Sequence, residues 1–190
     1  MTISQLPNLI TLSRLALVPV LIVLLNDRDY ALAFVVFALA GVSDALDGYI
    51  AKRFQATTRL GAILDPVADK TLLVSAYVML TVLEHLPFWL MVLVAFRDLL
   101  IVGGYLAYTS MYGPVQMRPS ALSKSNTVAQ TVLIAAIFTQ LTVSLLPEVL
   151  IELLMYVVAV TTIASGAHYL WTWTIKKDIE LAVDLRKTHD

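Results

Sequence analysis

The sequence predicts an all-α polytopic membrane protein: six transmembrane helices plus an N-terminal amphipathic helix, in one domain over residues 1–190. Three observations carry this. The chain is 59% hydrophobic and 14% charged, with a mean hydropathy of +0.81, a composition suited to lipid rather than water. Its apolar residues fall into six stretches, about 10–25, 30–50, 60–83, 88–110, 122–146 and 149–174, each close to the roughly 20 residues that cross a bilayer as a helix. Strand-like alternation is absent, and runs of this length satisfy their backbone in lipid as helices. With no cysteine in the chain, disulfides and thiol chemistry are excluded.

The first stretch opens at Pro7, a favourable first helical position. Asn8, Thr11 and Arg14 then recur every three residues as a polar stripe, which reads as an amphipathic helix at the membrane surface. A cleavable signal peptide competes, because Ala31-Leu32-Ala33 mimics a cleavage site; the first ten residues, however, carry no basic side chain.

The second and third stretches hold the most informative string, DALDGYIAKRFQATTRLGAILDPVADK. Asp44 and Asp47 are three apart, with Gly48 and Ala51 on the same stripe; Gly61, Asp65 and Asp69 repeat at intervals of four. Both sets therefore share one face of their helices, and a short loop would bring two such faces together. A carboxylate in a bilayer opposes insertion by about 2.5–3.5 kcal/mol, so four require compensation. Carboxylate oxygens suit hard divalent cations such as Mg²⁺ or Mn²⁺, and two such ions balance four aspartates. A two-metal site clamps the attacking and leaving oxygens of a phosphoryl displacement. Two other readings use the same acids: a structural polar knot with Lys70, Arg97 or Lys124, and an acid-lined ion transporter. Neither uses the glycines at 48 and 61, which permit close approach of a ligand to the helices.

In the fourth stretch, Arg97 is an expensive mid-span charge. Asp98 follows it directly but projects about 100° away around a helix, so an acid elsewhere in the bundle, or an acceptor phosphate, is the expected partner. The fifth stretch opens with Arg118-Pro-Ser-Ala-Leu-Ser-Lys124-Ser-Asn126-Thr127-Val-Ala-Gln130, which also reads simply as a basic loop, a helix cap and an anchoring lysine. The sixth contains Thr161-Thr-Ile-Ala-Ser-Gly-Ala-His-Tyr169 and Trp171 and Trp173, aromatics suited to an interface.

Basic residues orient the bundle. Lys52, Arg53, Arg59, Arg118, Lys124, Lys176, Lys177, Arg186 and Lys187 fall on even-numbered loops or the C-terminal tail, and the odd-numbered loops hold only Arg28. By the positive-inside rule both termini, and the acidic site, face the cytoplasm of a bacterial inner membrane or the matrix of an organelle.

The spacing D-x2-D-G-x2-A-(R/K)-x8-G-x3-D-x3-D, carried by Asp44, Asp47, Gly48, Ala51, Lys52, Gly61, Asp65 and Asp69, resembles the signature of the CDP-alcohol phosphotransferases. Lys52 stands where that family usually has Arg, which keeps the charge and gives up the planar two-pronged grip on phosphate. The resemblance implies transfer of a phosphatidyl or related group from a CDP-linked donor to an alcohol, releasing CMP. It implies metal binding by the four aspartates, with Asp69 also the base for the acceptor hydroxyl, and a cytidine diphosphate lined by Gly48, Lys52, Thr58 and Gly61. A homodimer is implied, and no nucleic-acid partner. The opening P-N-x2-T-x2-R is similar to that of the family and brings Arg14 toward the site.

Two further strings, (R/K)-P-x3-S-K-x-N-T-x2-Q and T-T-x-A-S-x3-Y, resemble those of cardiolipin synthases of this type, and nominate Arg118, Lys124 and Asn126, with Arg97, as acceptor residues. The phosphatidylglycerophosphate synthases tend to carry a second Lys at the position of Asn126. A neutral Asn suits the singly charged diester of phosphatidylglycerol, and an added Lys the nearly doubly charged phosphate of glycerol 3-phosphate. The expected reaction joins CDP-diacylglycerol to phosphatidylglycerol, giving cardiolipin and CMP; the runner-up uses glycerol 3-phosphate.

Overall fold

A computed structural model of the chain describes the backbone of residues 6–54, 59–112 and 121–187, and side chains over 12–43, 70–104 and 121–171. Six α-helices follow one another: α1 Leu6–Asn26, α2 Tyr30–Phe54, α3 Arg59–Val82, α4 Phe88–Tyr112, α5 Ala121–Val143 and α6 Glu148–Lys187. No strand occurs among the described residues. The helices coincide with the six apolar stretches, with one difference at each end of the chain. The polar N-terminal segment is not a separate amphipathic helix but the first turns of α1, which continues through Pro19. The charged C-terminal segment prolongs α6 to Lys187.

Three turns at one end of the bundle share a device. Arg28, Glu84 and Ser144 adopt positive φ values of 60°, 63° and 52° where α1, α3 and α5 end, the left-handed cap that closes a helix, here without glycine. Asp29 Oδ1 then accepts from Leu32 N at 3.1 Å, capping α2. Gln140 Oε1 accepts from Leu146 N at 2.9 Å, holding the α5–α6 turn.

Each helix buries one stripe at helical spacing. On α1 it is Arg14, Val18, Leu21 and Leu25; on α2, Ala33, Phe37 and Ala40; on α3, Leu72, Leu73, Ala76, Tyr77 and Leu80; on α5, Asn126, Gln130, Leu133, Ile134, Ile137 and Phe138. α1 packs on both α2 and α3, α5 on α2, α3 and α6, and α4 on α3 and α6. Phe138 lies at the centre, its ring 5.6 Å from Phe37 and 6.0 Å from Phe34. The outer surface is also apolar: Val82, Phe88, Phe96, Leu99, Leu153, Val160 and Trp171 are exposed. An exterior of that kind on a monomer marks a surface covered by something other than water. Two helical segments, Ala121–Val143 and Glu148–Trp171, are by length and composition sufficient to cross a membrane.

Candidate active site

The aspartates enter the fold through helix register. Asp44 and Asp47 follow Ala40 of the α2 stripe by four and seven residues, and Asp65 and Asp69 precede Leu73 of the α3 stripe by eight and four. Positions three, four, seven or eight apart share a helix face, so all four fall in register with core stripes. Their side chains and that of Lys52, with the surroundings of Gly48 and Gly61, lie outside the described residues, as do Thr58 and Arg118 entirely. Arg14 is 1% exposed and caps the buried stripe of α1, the helix that packs on both acid-bearing helices. A wholly carboxylate donor set in register with two buried stripes fits hard divalent cations.

Around the other end of the predicted constellation the side chains are described, and they form one connected network. Arg97 is 3% exposed. Its Nη1 donates to Asp98 Oδ1 at 2.8 Å, its Nη2 to Ser123 Oγ at 2.6 Å and Ser165 Oγ at 2.7 Å, and its Nε to Ser165 Oγ at 3.3 Å. Lys70 Nζ reaches the same Asp98 Oδ1 at 2.5 Å. Four helices, α3 to α6, meet in this cluster.

This corrects the expectation that Asp98 points too far from Arg97 to be its partner. The 100° offset applies to Cα–Cβ directions; the long arginine stem turns the guanidinium back onto the neighbouring carboxylate. Arg97 therefore answers an acid of its own helix, and its bonds with Ser123 and Ser165 occupy the donors that face α5 and α6. Ser123 precedes Lys124, which is exposed near the start of α5.

Asn126 is fully buried, and its Oδ1 accepts from Thr161 Oγ1 and Thr162 Oγ1, both at 2.9 Å. The string T-T-x-A-S on α6 thus has a physical sense: Thr161 and Thr162 hold Asn126, and Ser165 holds Arg97. These hydroxyls, with Ser123 and Asp98, are the positioning groups that sequence reasoning left without a role. Their polar character on a stripe at three- and four-residue spacing was the available signal.

Comparison with known proteins bears on this arrangement. A profile of the CDP-alcohol phosphatidyltransferase family matches residues 4–165. A cardiolipin synthase (CMP-forming) / mitochondrial hydrolase fusion protein of Schizosaccharomyces pombe is 38% identical over 183 residues, covering 88% of this chain and 31% of that protein. Human cardiolipin synthase (CMP-forming) is 32% identical over 179 residues, 86% of this chain and 60% of that one. The CDP-diacylglycerol–glycerol-3-phosphate 3-phosphatidyltransferase of Bacillus subtilis is 28% identical over 181 residues, 87% of this chain and 93% of that one. The chain thus spans 31% and 60% of the length of these fission-yeast and human relatives.

Proposed function

This chain belongs to the CDP-alcohol phosphatidyltransferase family, and we propose that it transfers the phosphatidyl group of CDP-diacylglycerol to phosphatidylglycerol, giving cardiolipin and CMP. The observation that supports the choice of acceptor is Asn126: a neutral amide, fully buried and fixed by two threonine hydroxyls, suits a diester with a single charge better than a phosphomonoester. The names of the fission-yeast and human relatives support the same choice. The B. subtilis relative, matched over most of its length, supports the alternative in which glycerol 3-phosphate is the acceptor and phosphatidylglycerophosphate the product.

In this reading Asp44, Asp47, Asp65 and Asp69 hold two divalent cations, Mg²⁺ or Mn²⁺, which supply charge neutralisation at the pyrophosphate. Gly48 and Gly61 leave room for the cytidine diphosphate against α2 and α3, and Lys52 and Thr58 complete its lining. Asp69 takes the proton of the acceptor's primary hydroxyl. That oxygen forms a bond to the β-phosphorus, the bond from the β-phosphorus to the oxygen bridging it to CMP breaks, and CMP leaves with the electron pair. Arg14, Arg118 and Lys124 supply positive charge to the phosphate of the acceptor. Arg97, held by Asp98, Ser123 and Ser165, sets the positions of α4, α5 and α6 around it.

The six helices span the membrane as a single domain, with both termini and the site on the cytoplasmic or matrix side. The apolar exterior supports the spans and the basic loops support the orientation; the protein works as a homodimer. The test is to incubate the purified protein with CDP-diacylglycerol and, separately, phosphatidylglycerol and glycerol 3-phosphate, and to identify the lipid formed. Cardiolipin in preference to phosphatidylglycerophosphate is expected; the reverse promotes the alternative acceptor.

A further inference from the structure

Gln130 stands one turn of α5 beyond Asn126, on the same face. It is 0% exposed, and neither its Oε1 nor its Nε2 has a hydrogen-bond partner among the described residues. Asn126 is equally enclosed: its Oδ1 is taken by the two threonines, while its Nδ2 has no partner among the described residues. Buried amides are otherwise hydrogen-bonded, and one left without partners is destabilising. Two donors and one acceptor on successive turns of a single helix therefore await a polar group.

Register says where that group sits. Lys70 of α3 and Ser123 of α5 meet on the Arg97–Asp98 pair of α4. Both helices begin at the same end of the bundle and pack on one another. Asp69 directly precedes Lys70 and Asn126 follows Ser123 by three residues, so Asn126 stands near the level of the proposed base and Gln130 one turn, about 6 Å, deeper.

The chemistry of the amide says what the group is. A primary amide offers one donor and one acceptor side by side. A phosphate would leave Oε1 facing an anion, and an ammonium would leave Nε2 unmet. A hydroxyl, itself donor and acceptor, satisfies both. Both acceptors considered above are glycerol esters that carry a secondary hydroxyl beside the attacking primary one.

We propose that Gln130, with the Nδ2 of Asn126, is a specificity-determining residue that pairs with the secondary hydroxyl of a glyceryl acceptor and so aligns its primary hydroxyl at the level of Asp69. This rests on the reading of the site as a transferase that uses a glycerol-bearing acceptor, whichever of the two it is.

The test is a cycle of acceptor and variant. Relative kcat/KM is measured for phosphatidylglycerol against phosphatidyl-1,3-propanediol, which lacks the secondary hydroxyl, and for glycerol 3-phosphate against 3-hydroxypropyl phosphate. The native protein and Gln130→Met are compared. A buried site built to bond a hydroxyl rejects the analogue that lacks it, so the native protein should prefer the hydroxylated member by about 10- to 100-fold. In Gln130→Met that ratio should fall to near 1, with the KM for CDP-diacylglycerol unchanged. Because the ratio is read within one preparation, lower yield of the variant cancels. Gln130→Leu, which likewise lacks polar atoms, serves if Gln130→Met fails to fold, and should also bring the ratio to near 1. A native-like ratio in the variant overturns the proposal alone, and assigns Gln130 to an internal water instead. Silence of the native protein on all four acceptors removes the proposal together with the reading on which it rests.

Discussion

Arg97 and Asp98, consecutive on α4, are bonded to each other at 2.8 Å, and Asp98 Oδ1 also takes Lys70 of α3 at 2.5 Å. One buried carboxylate thereby faces two cations, and the arginine goes on to Ser123 of α5 and Ser165 of α6. Removing one partner of a buried pair leaves an uncompensated charge. Asp98→Ala should therefore destabilise the protein by about 3–5 kcal/mol. Lys70→Met should cost less, since Asp98 keeps its bond from Arg97 Nη1. Thermal unfolding in detergent checks both; equal effects would show that Lys70, not Arg97, is the main partner of Asp98.

In the proposed reading, Asn126 sets the choice of acceptor. Asn126→Lys adds the charge that a phosphomonoester calls for, and should shift relative kcat/KM toward glycerol 3-phosphate by about 1–3 kcal/mol, the scale of one hydrogen bond to a charged group. Thr162→Val is the control: it removes one hydrogen bond to Oδ1, about 1 kcal/mol of stability, and adds no charge, so it should leave the preference between acceptors in place. A shift of equal size in both variants would assign the effect to disturbed packing.

His85 gives the opposite end of the bundle a pH dependence. It lies between α3 and α4, with Tyr30 Oη 3.0 Å from its Nε2. Burial, and then the charge of Arg28, hold its pKa below the ordinary 6.5. The unfolded chain then binds the proton more readily than the folded one, so stability rises with pH across this window. The contribution is fully present above about pH 6.5 and is lost as pH falls through the depressed folded value. Unfolding midpoints at pH 7.5 and 5.5 should differ less in His85→Gln than in the native protein; an unchanged difference assigns the acid sensitivity to other groups.

The proposed topology rests on the basic loops. The native chain has no cysteine, so Gln55→Cys introduces a single thiol between α2 and α3. It should react with an impermeant maleimide only from the cytoplasmic or matrix side. Labelling of intact cells from outside would invert the bundle and the access route to the aspartates.

Much of this was legible in the sequence, and the misses have physical causes. Helix positions followed from the apolar runs because lipid leaves the backbone few alternatives. The separate N-terminal amphipathic helix did not occur: Arg14, Val18, Leu21 and Leu25 form one stripe, so polar and apolar turns belong to one continuous helix, α1. Asp98 was misjudged because Cβ directions say little about where a long arginine places its guanidinium. Gln130 was visible only as the last letter of a string. Its isolation among Leu133, Ile134 and Ile137 on a buried face emerges only once the packing is known.

The central claim, phosphatidyl transfer at the aspartates of α2 and α3, is tested most directly by CMP release from CDP-diacylglycerol in the presence of acceptor, with and without chelator. Release should stop in EDTA, return with Mg²⁺ or Mn²⁺, and fall by several orders of magnitude in each of Asp44→Asn, Asp47→Asn, Asp65→Asn and Asp69→Asn. Full release in chelator, or near-native rates in all four variants, would contradict the account.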